Sequence, residues 1–238
     1  MVAVKVIAVK PGNDQVYLDE IRRLRNLNHK NLAKFIEVIL SAKSIVIIYR
    51  VFRKCGLVAV YIYVYNLNQW CVDPNLWVVM ELVHGVTLAE MYRFDIPLPA
   101  EAFALIIKSE LEAVLYLHGK RENHGDLHMH NVMLTYDGLV KLIDYGSTTS
   151  YTTMRGDLWF NRAMQDGGIC GHIRKLVGRL TQAERYRFRS MVDTLELLCD
   201  RIPMQEIQID AFVRQLLSVK GIRDLDEAYA RQVLTEYV

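Results

Sequence analysis

A short hairpin signal bracketed by acids constrains this 238-residue chain more than any other stretch. Residues 132–134 and 140–143 are apolar runs on either side of Tyr136-Asp137-Gly138. Asp-Gly between apolar runs predicts a tight β-hairpin. Asp126 lies on the segment entering it, Asn131 at the start of its first strand, and Asp144 just past its exit. A hairpin returns the chain to its starting end, so these three polar groups are expected to emerge together. Two carboxylates and an amide at one point suit a divalent cation and an acceptor hydroxyl.

The run His124-Gly125-Asp126-Leu127-His128-Met129-His130-Asn131, followed by Asp144-Tyr145-Gly146, resembles two loops of the protein-kinase-like superfamily. The family pattern is His-Arg-Asp-Leu-Lys-x-x-Asn and then Asp-Phe-Gly. Gly125 stands for the arginine and His128 for the lysine. The form His-Gly-Asp-Leu-His is also similar to aminoglycoside and choline phosphotransferases. The resemblance implies a two-lobed α+β fold, with a truncated small lobe of sheet plus one helix and a mainly helical large lobe. The small lobe spans residues 1–84 and the large lobe 85–238.

Upstream, residues 2–9 have the β-branched content of a strand, with Lys5 in its middle. Lys5 alone reads as a solvent-facing strand residue. Val2-Ala3-Val4-Lys5 resembles the family's third strand, which implies a phosphate-contacting lysine. Pro11-Gly12-Asn13-Asp14 predicts a turn, and Val16, Ile21, Leu24 and Leu27 predict a helix over residues 15–27. Glu20 lies beside that stripe. By resemblance it is the ion-pair partner of Lys5.

Residues 33–38 predict the next strand. Residues 76–88 resemble the fifth strand and hinge of sterile-20-type serine/threonine kinases. That likeness implies Met80 as gatekeeper and the backbone of Glu81 and Val83 as the adenine-binding edge. Met133 is implied as the apolar floor under the base. Between these segments, residues 39–65 carry two apolar runs split by Arg50, Arg53 and Lys54. Neither run reaches the ~18–20 residues of a membrane-spanning helix, so two extended strands are expected. The family has only a short turn here, so the segment reads as an insertion and is expected to be dispensable.

In the large lobe, Phe103, Ile107, Leu111, Val114 and Leu117 predict a buried helical stripe over residues 100–118. Thr181-Gln182-Ala183-Glu184 predicts a capping box opening a helix to about Cys199. Further helices are expected over residues 210–219 and 225–237. Asp157 is open to two readings, the start of the family's central helix or a helix cap.

The formal net charge of +2 calls for neither nucleic acid nor an anionic membrane as a partner. The four cysteines show no Cys-x-x-Cys spacing. They are expected as free thiols in a reducing intracellular compartment, cytoplasm or nucleus.

The resemblance implies ATP and Mg²⁺ as cofactors and a protein as substrate. Asp126 would accept the proton of the attacking hydroxyl, and Asn131 and Asp144 would hold Mg²⁺. His128 would face the γ-phosphate. No Gly-x-Gly-x-x-Gly occurs in the sequence. The strand carrying Lys5 comes first, so the family's two earlier strands and phosphate-covering loop are expected to be missing. Two alternatives stand beside an active serine/threonine kinase: a small-molecule phosphotransferase, and a truncated pseudokinase acting as a binding module.

Gly125 offers no cation to a phosphate on the following loop, which carries Ser147, Thr148, Thr149, Ser150, Thr152 and Thr153. Activity is therefore expected to be constitutive. Replacing all six hydroxyl residues by Ala should leave phosphoryl transfer within about threefold. A drop of about tenfold or more, there or after phosphatase treatment, would reveal a phosphate-reading cation elsewhere.

Overall fold

The computed structural model describes residues 2–8, 21–22, 24–41, 44–54, 57–66, 75–94, 96–122, 124, 127–145, 169–201 and 209–238. The chain divides into two compact units, Met1–His84 and Gly85–Val238.

The first unit is built on a five-stranded sheet. Its strands are β1 (Val2–Ala8), β2 (Phe35–Ser41), β3 (Ser44–Lys54), β4 (Leu57–Asn66) and β5 (Asn75–Glu81), in the order β2-β5-β1-β4-β3. Strand β1 lies at the centre. It pairs antiparallel with β5 along its whole length, from Val2 opposite Glu81 to Ala8 opposite Asn75. On its other side, Val2 pairs with Val60 of β4. Residues 21–22 and 24–25 are helical, and Leu24 and Leu27 of the expected stripe are buried.

The segment read as an insertion is thus built into the sheet. Strands β3 and β4 form a hairpin from Ser44 opposite Asn66 to Lys54 opposite Leu57, with a register shift between Tyr49 and Phe52. The reason is the edge of β1. A strand flanked on one side only presents a row of unpaired N–H and C=O groups. β4 meets that edge at Val2, opposite Val60, and the alternating β-branched and aromatic residues of the hairpin have the propensity to pair there.

The second unit is α+β. A three-stranded antiparallel sheet, β6 (Gly85–Thr87), β7 (Val132–Thr135) and β8 (Val140–Leu142), packs on helix α2 (Ala100–Gly119). Helix α1 (Leu88–Arg93) precedes α2. The remaining helices are α3 (Ile169–Val177), α4 (Gln182–Arg187), α5 (Arg189–Asp200), α6 (Ile209–Ser218), α7 (Lys220–Arg223) and α8 (Glu227–Thr235). The five apolar residues expected to line α2 are all almost fully buried. The buried surface extends well beyond that stripe, to Ala102, Leu105, Ile106 and Ala113 among others, because neighbours wrap the helix. Glu110, also fully buried on α2, faces His172 of α3, Oε2 to Nδ1 at 3.3 Å. Loss of either partner would strand a polar group in the core.

Thr181 caps α4 as expected, its hydroxyl accepting from the Glu184 N–H at 3.2 Å. The other half of the expected box goes elsewhere. Glu184 accepts from the Ala100 N–H at 3.1 Å and so caps α2. Pro99, the N-cap residue of α2, has no side-chain donor or acceptor to do this. The helix expected to reach Cys199 breaks at Phe188 into α4 and α5.

Replacing residues 42–66 by an Asn-Gly turn is expected to destabilise the first unit, because the edge of β1 would be left open. A loss of 1 kcal/mol lowers Tm by about 4–8 °C in a unit of this size. The shortened protein should therefore melt at least about 4 °C lower and aggregate more readily. An unchanged Tm and solubility would mean that the hairpin adds nothing to the sheet.

Candidate active site

The hairpin that organises the sequence forms as expected, and its turn explains its precision. Thr135 N–H donates to the Leu139 carbonyl at 2.8 Å, while Leu139 N–H donates to the Thr135 hydroxyl at 2.7 Å. Gly138 has φ of +77°, and a Cβ there would meet the Arg231 carbonyl at 2.5 Å. Only glycine serves at such a position. The register pairs Val132 with Leu142 and Leu134 with Val140, all four buried.

At the open end of this hairpin the two motifs meet. The Ile143 N–H donates to the Asn131 carbonyl at 2.9 Å, one residue before Asp144. Asn131 and Asp144 therefore emerge at one end. Asp144 has φ of +56°, the left-handed region, which Asp tolerates better than most residues. A 3₁₀ turn, Met129–Asn131, delivers Asn131 to the strand, closed by Asn131 N–H to the His128 carbonyl at 2.8 Å. Helix α1 packs against that turn. It is held by a full capping box, in which Thr87 N–H donates to Glu90 Oε2 at 2.7 Å and Glu90 N–H to Thr87 Oγ1 at 3.1 Å.

His128 is half-buried and turned onto its own loop. Its Nδ1 accepts from the His130 N–H at 3.2 Å, and its Nε2 lies 3.2 Å from Nδ2 of the Asn131 carboxamide. Met133 is half-buried on β7, opposite Thr87 and Lys141. Asp126 lies outside the described residues, as do Gly125, Gly146, the hydroxyl-bearing residues of 147–153 and Asp157.

In the first unit, Lys5 is opposite Val78 in the β1–β5 pairing. Glu20 lies outside the described residues. Met80 is half-buried and Val83 buried. Glu81 and Lys34 clamp each other: Glu81 N–H donates to the Lys34 carbonyl at 2.8 Å, and Lys34 N–H donates to Glu81 Oε2 at 2.9 Å. The side chain of Glu81 thus anchors the end of β5.

Sequence reasoning gave no role to His124, yet it ties the two loops together. It is buried, with Nε2 3.1 Å from the Ile143 carbonyl. A carbonyl can only accept, so Nε2 carries the proton. The ring also stands edge-on to Tyr145, centroids 6.5 Å apart. The only sequence signal for this was the position of His124 two residues before Asp126.

Asn131 and Asp144 offer an amide oxygen and a carboxylate, the hard donors that Mg²⁺ prefers. Among the described residues no three His, Cys, Asp or Glu side chains cluster as metal ligands. Two protein ligands leave room for water and substrate phosphates, which is how Mg²⁺ is commonly bound. The residues present fit the ion.

Comparison with known proteins agrees with this geometry. Residues 1–161 match the protein kinase domain. The chain belongs to the protein kinase family, with a small sheet unit and a mostly helical one. It is 26% identical over 153 residues to human mitogen-activated protein kinase kinase kinase kinase 3, covering 64% of this chain and 14% of that protein. It is 25% identical over 157 residues to serine/threonine-protein kinase pakA of Dictyostelium discoideum, covering 65% of this chain and 10% of the relative. With serine/threonine-protein kinase ppk11 of Schizosaccharomyces pombe it shares 31% over 81 residues, 34% of this chain and 26% of the relative. The chain thus spans a minor part of each relative's length. No helix among the described residues is long and apolar enough to cross a membrane.

Replacing His124 by Leu keeps bulk but removes the donor to Ile143. An unmet buried hydrogen-bonding group costs about 1–3 kcal/mol. Chemical denaturation should show a loss of that size, with faster amide exchange at Ile143 and Asp144. Unchanged stability and exchange would mean that the loops hold without this bond.

Proposed function

We propose that this chain transfers the γ-phosphoryl group of ATP to a serine or threonine hydroxyl of a protein. The observation that carries the reading is the hairpin end where Asn131 and Asp144 emerge beside the turn holding His128. Asp126 orients the attacking hydroxyl and accepts its proton as the oxygen bonds to the γ-phosphorus. The bond from that phosphorus to the β–γ bridging oxygen breaks, and ADP leaves with the electron pair. Asn131 and Asp144 hold Mg²⁺, which neutralises phosphate charge when bound. Lys5, braced by Glu20, anchors the α- and β-phosphates. Met80, the backbone of Glu81 and Val83, and Met133 border the adenine. Since the Glu81 N–H is already given to Lys34, Glu81 would serve the base through other main-chain atoms.

Cys170 and Cys199 are free and buried, which favours a reducing intracellular compartment. A second reading, a nucleotide-binding pseudokinase, is favoured by one observation: His128, which stands where the family has a lysine, is turned onto its own loop.

Two measurements separate the readings. Mg-ATP at a hundred times its dissociation constant stabilises a binder by roughly 2.7 kcal/mol, readable as a thermal shift. Transfer of labelled phosphate to protein then distinguishes the kinase from the pseudokinase, and transfer to hydroxylated metabolites alone would point to a small-molecule enzyme. Within the kinase reading, Asp144→Asn should abolish metal-dependent nucleotide binding, while Asp126→Asn should keep binding and lose transfer by about 10²-fold or more. Equal loss of nucleotide affinity in both would mean the two acids do not divide the work this way.

A further inference from the structure

A pocket of about 490 Å³ is formed in the second unit by residues of α5, α7 and α8, to which phosphoryl transfer assigns nothing. Its volume is that of a small-molecule site, where mostly apolar walls carry a few placed polar groups. Met191, almost fully buried, and half-buried Phe188 and Leu225 supply such walls. Gly221 lets α7 approach α5 closely, since a Cβ there would meet Met191 Sδ at 2.5 Å. Tyr229, 51% exposed, borders the same space.

The polar groups around the pocket are unequally engaged. Glu101 accepts from Arg187 at 2.7 Å, and that guanidinium also stands 4.8 Å from the Phe188 ring centroid. Asp224 accepts from both Nε and Nη2 of Arg223, at 2.7 and 2.9 Å. Asp226 caps α8, its Oδ1 accepting from the Ala228 and Tyr229 N–H groups at 3.1 Å. Each acid thus has a partner. The Lys220 ammonium acts on Asp224 only through space. It makes no hydrogen bond with the described residues, and neither does the hydroxyl of Ser190 or Tyr229. An ammonium can only donate, and hydroxyls donate readily, so the group these three lack in common is an acceptor. We propose that this pocket binds a small aromatic carboxylate, its ring against Met191 and Tyr229 and its oxygens bonded by Lys220, Ser190 and the Tyr229 hydroxyl. Thioether sulfur and aromatic rings both make favourable contacts with an aromatic ligand. A carboxylate takes the stronger, charge-assisted bond from an ammonium. The proposal is independent of phosphoryl transfer.

Methyl NMR of the full chain tests it. In protein carrying ¹³C-methyl methionine, the Met191 signal is identified by its loss in M191L. Titration with 2-naphthoate should shift that signal saturably. 2-Naphthamide, its neutral analogue, should bind about tenfold more weakly, because it offers Lys220 no charge. K220M should bind naphthoate about tenfold more weakly and naphthamide unchanged, whereas K220R should stay within about threefold of the unaltered protein. Lys220 is exposed, so the variants should keep the methionine spectrum of the free protein. Equal affinity for the acid and the amide overturns the proposal, and needs no variant. So does naphthoate binding that K220M leaves intact, or a Met191 signal that moves with neither compound. Shifts at other methionines with Met191 unmoved would place the binding elsewhere and overturn it as well.

Discussion

The bond from the Ile143 N–H to the Asn131 carbonyl, 2.9 Å long, fixes the geometry on which the rest of the site depends. It is a main-chain bond, so no side chain need be spent on it. It continues the β7–β8 ladder by one step past Val132 and Leu142, towards Asn131 and Asp144. His124 then holds the carbonyl of the same Ile143 from the other side. Ile143, the residue before Asp144, is thus held at both its N–H and its carbonyl, by partners at residues 131 and 124. The left-handed backbone at Asp144 persists because its neighbours over-determine it.

Much of this was legible in the residues themselves. The Asp137-Gly138 turn between apolar runs located the hairpin, and its alternation set which residues are buried. The period of Phe103, Ile107 and Leu111 located α2 to within a residue. What could not be read was where side chains would be diverted by the needs of other backbone groups. Glu184 has the spacing of a local capping box, yet the open N–H of Ala100 lies within its reach and takes it. His128 reads as a phosphate donor by position, yet the nearest unsatisfied groups are in its own turn. Glu81 reads as a hinge residue, and its carboxylate serves Lys34. For Glu184 and Glu81 tertiary proximity, invisible in a linear pattern, decides the partner, whereas for His128 the local turn does.

The hairpin of β3 and β4 follows the same logic at the scale of a sheet. Its sequence marked it as extended and apolar, but composition does not say which edge a strand will join. The fold supplies an edge at β1, and β4 meets it where Val2 pairs with Val60. A segment foreign to the resemblance thus supplies two of the five strands of the sheet.

The centre of that sheet is also the earliest strand along the chain. β1 is flanked by β4 and β5, whose pairing residues, Val60 and Glu81 for Val2, lie far downstream. On the ribosome β1 meets β4 and β5 only after roughly sixty to eighty further residues are added, several seconds at about 5–20 residues per second. It is a short apolar strand that meets neither neighbour until both have left the exit tunnel. Its pairings are non-local, so their loop-closure cost falls early and the sheet is expected to form late. The β3–β4 hairpin, in contrast, closes on itself and can form as soon as it emerges. The nascent chain thus has a ready-made template to which the waiting strand can add, and the order of synthesis favours capture of β1 by β4 before β5 arrives.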